Sequence, residues 1–387
     1  MKHLKIFCVG GYVRDKILNV ESRDLDFVVV GSSVEEMLSL GFQQVGKDFP
    51  VFQHPQYGWE FALARTERKV DVGYHGFEVN SDPTVTLEQD TMRRDLTINS
   101  MCQEVIGWDN DQPILSEHII DYFGGISDLK HKILRPVSHH FADDPIRVLR
   151  AGRFASRYNF KWSNSLITLA DQMLDNGELD NLVAERLYIE LLKNFKEPYS
   201  GRMFDLLQII SNGKRSAISA VFNNCGLYVD PDMSQMFIDV DKQFGDVMDL
   251  TKVKFGYLTH KLSIDQCNVF LEAIKAPTEI RRICLSVIGY LQTHQDISTG
   301  EQLMKLIEHF DLLRSGQHDK VDIFVVMKML GFDKDAELLL RGMMHIPQIS
   351  SADIDKTLVG KQIALAIRDK RVAVLDSVIR LADDLEH

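Results

Sequence analysis

The order of apolar patterns along the chain predicts a small α/β head with a mixed sheet, followed by an all-α remainder. Short β-like runs carry the first half of that prediction. Lys5–Val9, Leu25–Val30, Val51–His54, Glu60–Ala64 and Ile119–Asp121 all precede residue 140, as do two of the three tryptophans, Trp59 and Trp108. The second half rests on the residues after Pro145, which read as helices with short breaks. From Thr278 onward, for example, Ile280, Ile283, Cys284, Val287 and Leu291 make one apolar stripe at helical spacing. The third observation is size. A chain of 387 residues without internal repeat or low-complexity tract holds two or three domains with cores of their own. The expected divisions are a head over 1–140, a helical neck over 141–225 and a helical body and tail over 226–387.

Composition narrows the classes of function. Hydrophobic residues are 45% and charged residues 26% of the chain, a globular balance that excludes a disordered protein. No apolar run reaches the roughly 18 residues of a membrane span, and Met1-Lys2-His3 opens no signal-peptide pattern. The expectation is a soluble, cytoplasmic protein with no membrane partner. Cys8, Cys102, Cys225, Cys267 and Cys284 are scattered, odd in number and without a CxxC spacing, which suggests reduced thiols and neither zinc nor disulfides. The formal charge of −12 argues against an indiscriminate nucleic-acid coat. Between Lys130 and Lys161 the sign reverses, with Lys130, Lys132, Arg135, Arg147, Arg150, Arg153, Arg157 and Lys161 set against Asp143 and Asp144. That stretch is the expected place for a polyanion.

Taken in order, the first element is the strand Ile6–Val9, broken by Gly10 and Gly11. Val13 to Leu18 has helical spacing, and Asp24-Leu25-Asp26 opens a second strand. Alternate strand residues share a face, so Asp24 and Asp26 point the same way with Cα atoms about 6.6 Å apart. Two carboxylates so placed can share divalent cations for in-line phosphoryl or nucleotidyl transfer. Paired glycines let backbone N–H groups approach phosphate oxygens, and Arg14 can give a bidentate phosphate contact. Alone, Gly-Gly is a turn and Asp-x-Asp a solvated loop. Together, as GGYVRD and RDLDFVVV, they resemble the first motif of the polymerase-β-like nucleotidyltransferases. The branch is class II, which holds the CCA-adding tRNA nucleotidyltransferases and the bacterial poly(A) polymerases.

That resemblance implies roles for residues further on. In GKDFPVFQHPQYGWEFALARTERK, Glu60 stands where the family has a third acid, able to help deprotonate the attacking hydroxyl; otherwise it is an exposed strand acid. The polar, Gly-containing stretch after Lys69, to about Asp82, is expected as a flexible loop. RRDLTIN, Arg93 to Asn99, resembles the family's RRDFTIN, which makes Arg94 a triphosphate ligand and Asp95 a ribose ligand; Asp90 or Thr91 is expected to cap the neighbouring helix. IIDYFGGISDLKHKILRPV resembles DPFGGxxDLxxxxLR, with Tyr122 in place of the usual Pro, and reads as a hinge with Ser127 or Asp128 capping a short helix. In FADDPIRVLRAGRFASRY, Asp144 followed by Pro145 reads as an N-cap and N1 pair. Arg147, Arg150, Arg153 and Arg157 then fall within about a 120° arc at ~100° per residue. DDPIRVLR resembles EDxxRxxR, in which an Asp and an Arg read the incoming base. Asp143 replaces the usual Glu, while Asp144, Arg147 and Arg150 match.

AERLYIELLK, Ala184 to Lys193, resembles the helical TPERVWxE segment. Beyond it the likeness to the proteobacterial multifunctional CCA type thins, returning at APTEIRR and GKQIALAIRDKRVAVL. Where that type carries a metal-binding HD pair, YLTHKLS has His260 followed by Lys261, so the HD-like region is degenerate; His294 is an isolated histidine there.

The resemblance therefore implies addition or repair of the 3′-terminal CCA of tRNA from CTP and ATP by a two-metal mechanism. Asp24 and Asp26 would hold Mg²⁺, Glu60 would assist, and Gly11, Arg14, Arg94 and Arg150 would grip the triphosphate. Asp95 would take the ribose and Asp144 with Arg147 the base. Lys130, Lys132, Arg153 and Arg157 would meet the RNA, with the tRNA 3′ end and acceptor arm as partner and no obligatory protein partner. The alternatives are a poly(A) polymerase of the same branch, a CC-only or A-only enzyme, and a non-catalytic tRNA-binding protein.

Overall fold

The computed structural model describes residues 4–21, 25–45, 50–54, 58–69, 77–110, 112–211, 215–314 and 316–386. Two compact units emerge, one of Met1–Glu190 with Tyr199–Val221, the other of Leu191–Pro198 with Phe222–His387.

The first unit opens with β1 (Lys5–Val9), α1 (Gly11–Ile17), β2 (Asp26–Val30), α2 (Val34–Ser39), β3 (Gln43–Gln44), β4 (Val51–Gln53) and β5 (Glu60–Leu63). Next come β6 (Thr66–Lys69), β7 (Phe77–Asn80), α3 (Leu87–Met92), β8 (Cys102–Asp109) and β9 (Gln112–Ile120). The main sheet has seven strands in the order β3-β4-β5-β2-β1-β8-β9, with β2 and β5 parallel and the other pairs antiparallel. At the central strands β1 and β2 both faces are buried, which is why β1 reads as a continuous apolar run and not as an alternation. Phe7 and Val9 pack with Val28, Ala64, Val85, Leu87 and Cys102. Phe27 stacks on Phe61 at 4.7 Å, and Trp59 on Trp108 at 5.4 Å.

Three local expectations change. The segment after Lys69 is not all loop, because β6 and β7 pair as an antiparallel hairpin, Thr66 opposite Asn80. The helix beside Arg93 is α3, which ends at Met92. Its cap is Thr86, in a reciprocal box with Gln89, while Asp90 and Thr91 are buried inside it. The strand expected at Ile119–Asp121 is the end of the longer hairpin β8–β9, whose sequence pattern is blurred by register shifts around Val105.

The unit continues through α4 (Gly125–His131), β10 (Ile133–Leu134), α5 (Ile146–Tyr158), β11 (Lys161–Trp162), α6 (Asn164–Asp175), α8 (Arg202–Ile209) and α9 (Ala217–Val221), together with α7 (Ala184–Phe195) as far as Glu190, its residues from Leu191 on belonging to the second unit. Neither Ser127 nor Asp128 caps α4. The carboxylate of Asp121 does, accepting from the N–H groups of Gly125 at 2.8 Å and Ile126 at 2.9 Å. Asp128 is buried instead, accepting from Thr97 Oγ1 at 2.6 Å and Arg135 Nε at 2.9 Å. Helix α5 begins one residue later than expected, yet Asp144 still serves its start, with Oδ1 taking the Ile146 N–H at 3.3 Å and its carbonyl the Arg147 N–H at 3.0 Å.

The second unit is helical: α10 (Met233–Phe244), α11 (Thr251–Thr259), α12 (Ile264–Ala273), α13 (Thr278–Thr293), α14 (Gly300–His309), α15 (Gln317–Met329), α16 (Asp333–His345) and α17 (Lys361–Glu386). The stripe on α13 is buried at Ile280, Ile283, Cys284 and Val287, as its spacing predicts. Within this unit Lys254 is fully buried, its Nζ donating to Asp241 Oδ2 at 2.7 Å and to the Phe195 carbonyl at 2.8 Å. A buried charge without such partners would be strongly destabilising. Among the described residues no helix is long and apolar enough to cross a membrane.

Candidate active site

Strand register builds the site's floor. Asp26 on β2 lies opposite Glu60 on β5 and opposite Val9 on β1, and Val9 lies opposite Cys102 on β8. Side chains at facing positions of neighbouring strands share a face, about 4.8 Å apart along the ladder. Asp26 and Glu60 are thus adjacent exposed carboxylates at the end of the sheet. The chain turns directly after Val9. Gly10 has φ +73°, and its N–H donates to the Met101 carbonyl at 3.1 Å. A side chain there would be strained, and its Cβ would come within 3.4 Å of Arg94 Nη1. The Gly-Gly turn, the carboxylate pair and Arg94 therefore converge. Asp24 lies outside the described residues.

Arg94 is held by Asp90, Nη2 to Oδ2 at 3.2 Å, while its Nε has no hydrogen-bond partner among the described residues. Burial opposes its charge, but the Asp90 carboxylate, with Cys102 and Asp26 further off, raises its pKa above the ordinary guanidinium value. The unmatched buried donor beside a glycine turn is an arrangement suited to an anion. Arg93, next in sequence, is spent elsewhere. It donates to Asp90 Oδ1 and Glu67 Oε1, both at 2.7 Å, and to the Arg65 carbonyl at 3.0 Å, tying the base of the β6–β7 hairpin to α3.

Asp95 is buried and heavily satisfied. Its Oδ1 accepts from the Leu96 N–H at 2.8 Å and Asn99 Nδ2 at 3.1 Å; its Oδ2 accepts from Arg150 Nε at 2.9 Å and Nη2 at 2.8 Å. Burial works against its ionisation, and the Arg150 guanidinium with the Asn99 amide outweighs it, holding the carboxyl well below the usual range. Two expected nucleotide ligands, Asp95 and Arg150, are thus brought into contact.

Arg14 sits behind the Gly-Gly turn, buried, with Nε and Nη2 on Asp15 Oδ1 at 2.8 Å and Nη1 on Asn99 Oδ1 at 2.5 Å. Its guanidinium also lies over the rings of Phe154 and Tyr158 at 5.2 and 5.3 Å. Only its remaining N–H groups are left for a phosphate.

The pair expected to read the base has a third member. Asp144 is gripped bidentately by Arg186 of α7, Nη1 to Oδ1 at 3.0 Å and Nη2 to Oδ2 at 2.7 Å. Arg147 donates through Nη1 to the His140 carbonyl at 2.5 Å. Burial lowers the Arg147 pKa, against the raising influence of Asp95, Asp144 and Glu67.

Sequence reasoning missed Arg186, Glu190 and Asn99. The signal for the first two was available, since charges four residues apart on an apolar helix share one face. Glu190 also forces a correction. Arg153 is not on an open RNA-facing surface; it is 7% exposed, with Nε on Glu190 Oε2 at 2.7 Å and Glu190 Oε1 3.8 Å from Arg150 Nη1. Arg157 is about one-third exposed, 3.7 Å from Asp15 Oδ2, and Lys130 and Lys132 are exposed.

In the helical unit, Lys261 is paired with Asp230, and His260 bonds through Nδ1 to the Tyr257 carbonyl at 2.5 Å. His294 is fixed through Nε2 to Asp335 Oδ2 at 2.9 Å. Among the described residues no group of three or more His, Cys, Asp or Glu could hold a metal ion.

Comparisons with known proteins fit this geometry. The family model described as the Poly A polymerase head domain matches residues 6–135. The chain is 38% identical over 328 residues to the "Multifunctional CCA protein" of Nitrosospira multiformis, covering 78% of this chain and 75% of that protein. It is 51% identical over 205 residues to the protein of the same name from Neisseria gonorrhoeae, covering 53% of this chain and 48% of that one. Among solved structures, a CCA-adding enzyme with ATP superposes with TM-score 0.68 at 20% identity, over 99% of this chain and 90% of that one. A tRNA nucleotidyltransferase with a primer tRNA and an incoming ATP analogue gives TM-score 0.60 at 24% identity, over 89% and 96%. At such identities the structures speak for the shared fold.

Proposed function

Because this chain belongs to the multifunctional CCA protein family of CCA-adding tRNA nucleotidyltransferases, we propose that it adds or repairs the 3′-terminal CCA of tRNA from CTP and ATP, releasing pyrophosphate. The observation that carries the reading is the register row in which Glu60 and Asp26 stand beside the Gly-Gly turn, with Arg94 against Gly10.

The family uses a divalent metal, and Asp26, exposed at the start of β2 beside the Gly-Gly turn, offers a hard carboxylate oxygen of the kind Mg²⁺ takes. Asp24 is the further ligand we assign. When bound, the metal supplies positive charge for activating the tRNA 3′-hydroxyl and for the leaving pyrophosphate. The rest falls to the chain's own side chains. Glu60 stands where it can accept the hydroxyl proton. Gly11 leaves the turn open to phosphate, and Arg94 supplies a donor without another partner among the described residues. A ribose hydroxyl donating to Asp95 Oδ2 displaces an N–H of Arg150, which then turns to the triphosphate alongside Arg14. Asp144, oriented by Arg186, accepts from an exocyclic amine, and Arg147 donates to the neighbouring ring acceptor. Lys130, Lys132 and Arg157 meet the phosphates of the tRNA acceptor arm. We assign 1–140 as head, 141–225 as neck and 226–387 as body and tail. The setting is cytoplasmic, where the five buried, unpaired cysteines stay reduced.

The test is incubation with tRNA lacking its CCA end and with CTP, ATP or both. Two cytidines followed by one adenosine are expected, and no product from Asp26→Ala. A long adenosine tail would instead identify a poly(A) polymerase, arrest after one kind of nucleotide a partial enzyme, and tRNA binding without incorporation a non-catalytic protein.

A further inference from the structure

The helical unit carries a cleft of its own. Helices α11, α13 and α15, with Phe310 just after α14, leave between them an open space of about 290 Å³. Helix α13 lines it with Glu279, Arg282, Ile283 and Ser286, the i, i+3, i+4, i+7 spacing of one helical face. The floor is apolar, with Ile283, Phe310 and Ile323 all buried. The walls are charged. Asp322 of α15 is only 4% exposed, although a carboxylate is seldom buried without a partner. Lys252 of α11 stands 3.7 Å from Asp322 Oδ2 and 4.0 Å from Glu279 Oε2. Both separations exceed the length of a direct hydrogen bond, so these charges attract across a gap.

That charge pattern restricts what can enter. Lys252 and Arg282 face Asp322 and Glu279, so a polyanion is repelled by the two carboxylates and a simple cation by the two bases. An uncharged apolar molecule would strip water from these groups without replacing it. A small zwitterion offers each wall its opposite charge, and an apolar group on it covers the floor. The volume lies at the lower limit of small-molecule pockets, which suits a free amino acid and is cramped for a nucleoside triphosphate. We propose that this cleft binds a free α-amino acid with an apolar side chain. Its carboxylate takes the planar fork of Arg282 and its ammonium the carboxylate of Asp322, while its side chain covers Ile283, Phe310 and Ile323. The site lies wholly within the helical unit and does not depend on the transferase reading.

The test is a ligand-observed NMR titration of the full chain with L-leucine, L-methionine and L-phenylalanine at millimolar concentration. Saturable binding of at least one is expected. Two analogues of that amino acid are then titrated: its deamino acid, which lacks the ammonium, and its carboxamide, which lacks the carboxylate. Each should bind about tenfold more weakly or worse, the scale of one lost hydrogen bond to a charged group. Arg282→Gln and Asp322→Asn should weaken binding of the amino acid by a similar factor. Arg282 is exposed, so Arg282→Gln keeps the fold and carries the test alone if Asp322→Asn proves unstable. No saturable binding of any of the three amino acids overturns the inference. So does a deamino acid or carboxamide that binds as tightly as its parent amino acid, or a folded Arg282→Gln protein with unchanged affinity.

Discussion

At the scale of single residues, hydrogen-bond chemistry explains how a site can choose nucleotides without a template. A carboxylate only accepts and a guanidinium only donates. Cytosine and adenine each offer an amine beside a ring acceptor, which suits Asp144 with Arg147; uracil and guanine reverse both groups. At about 1–3 kcal/mol per mismatched contact, two contacts give on the order of 10²- to 10⁴-fold discrimination. Arg147→Ala is therefore expected to lower CTP and ATP use together and to narrow their advantage over UTP and GTP. A folded, weakened Arg147→Ala enzyme with the parent's discrimination would show that another group reads the base. Asp95 and Asp90 carry a second consequence. Burial disfavours their charge, yet Arg150 in one case and Arg93 with Arg94 in the other outweigh it and depress both pKa values. Their stabilisation is fully present above the unfolded aspartate value, near about 3.9, and is lost as pH falls through the folded values. Thermal stability should thus drop below about pH 4, and Asp95→Asn should flatten that drop. An equally steep acid limb in Asp95→Asn would place the linkage on other carboxylates.

At the scale of elements, the RRD segment is held from behind by α4. A Cβ on Gly125 would lie 2.3 Å from the Thr97 carbonyl oxygen and 2.9 Å from Met101 Cγ, so a methyl group fits only if one backbone moves. Gly125→Ala should cost about 1–3 kcal/mol of stability, as overpacking does. It should also reduce turnover, because Thr97 lies between Asp95 and Asn99. Full activity and an unchanged melting temperature would mean that the contact is easily relieved. This contact is invisible in the sequence, where Gly124-Gly125 reads only as a turn. The arginines of α5 teach the same lesson. Their 120° arc was legible because helical periodicity fixes which residues share a face. Periodicity does not say what covers that face. Helix α7 brings Glu190 to Arg153 and Arg186 to Asp144, so part of a stripe that reads as solvent-facing is interior. The hairpin β8–β9 was legible only at its end, because its exposed positions and register shifts erase the alternation.

At the scale of the whole molecule, the division into a sheet-bearing head and a helical remainder was readable because strand and helix periods differ and each holds over long stretches. The motifs could be picked out where residue type dictates chemistry, and the structure brings Asp26 beside Glu60, Arg94 against Gly10 and Asp95 onto Arg150. What the helical remainder does was less readable, since its helices are built mostly for packing. Its HD-like segment allows one firm expectation. Metal-dependent phosphohydrolysis needs several anionic or imidazole ligands around one cation, commonly three or more from the protein. Here His260 donates from Nδ1 to the Tyr257 carbonyl, which leaves Nε2 as its lone-pair nitrogen, 3.8 Å from Asp230 Oδ2. That carboxylate is already neutralised by Lys261, whose ammonium stands where a second acid would be needed. A divalent cation entering this place would meet one neutral imidazole and one carboxylate whose charge Lys261 already balances. Two such groups are fewer than the ligands a divalent site needs, and no net negative charge is left to replace the ion's hydration. The purified protein is accordingly expected to leave a 2′,3′-cyclic nucleotide intact with Ni²⁺ or Mg²⁺ present, while CCA addition proceeds in the same buffer. Metal-stimulated hydrolysis that disappears in His260→Ala would show that the segment binds metal despite Lys261, and the charge argument would have to be abandoned.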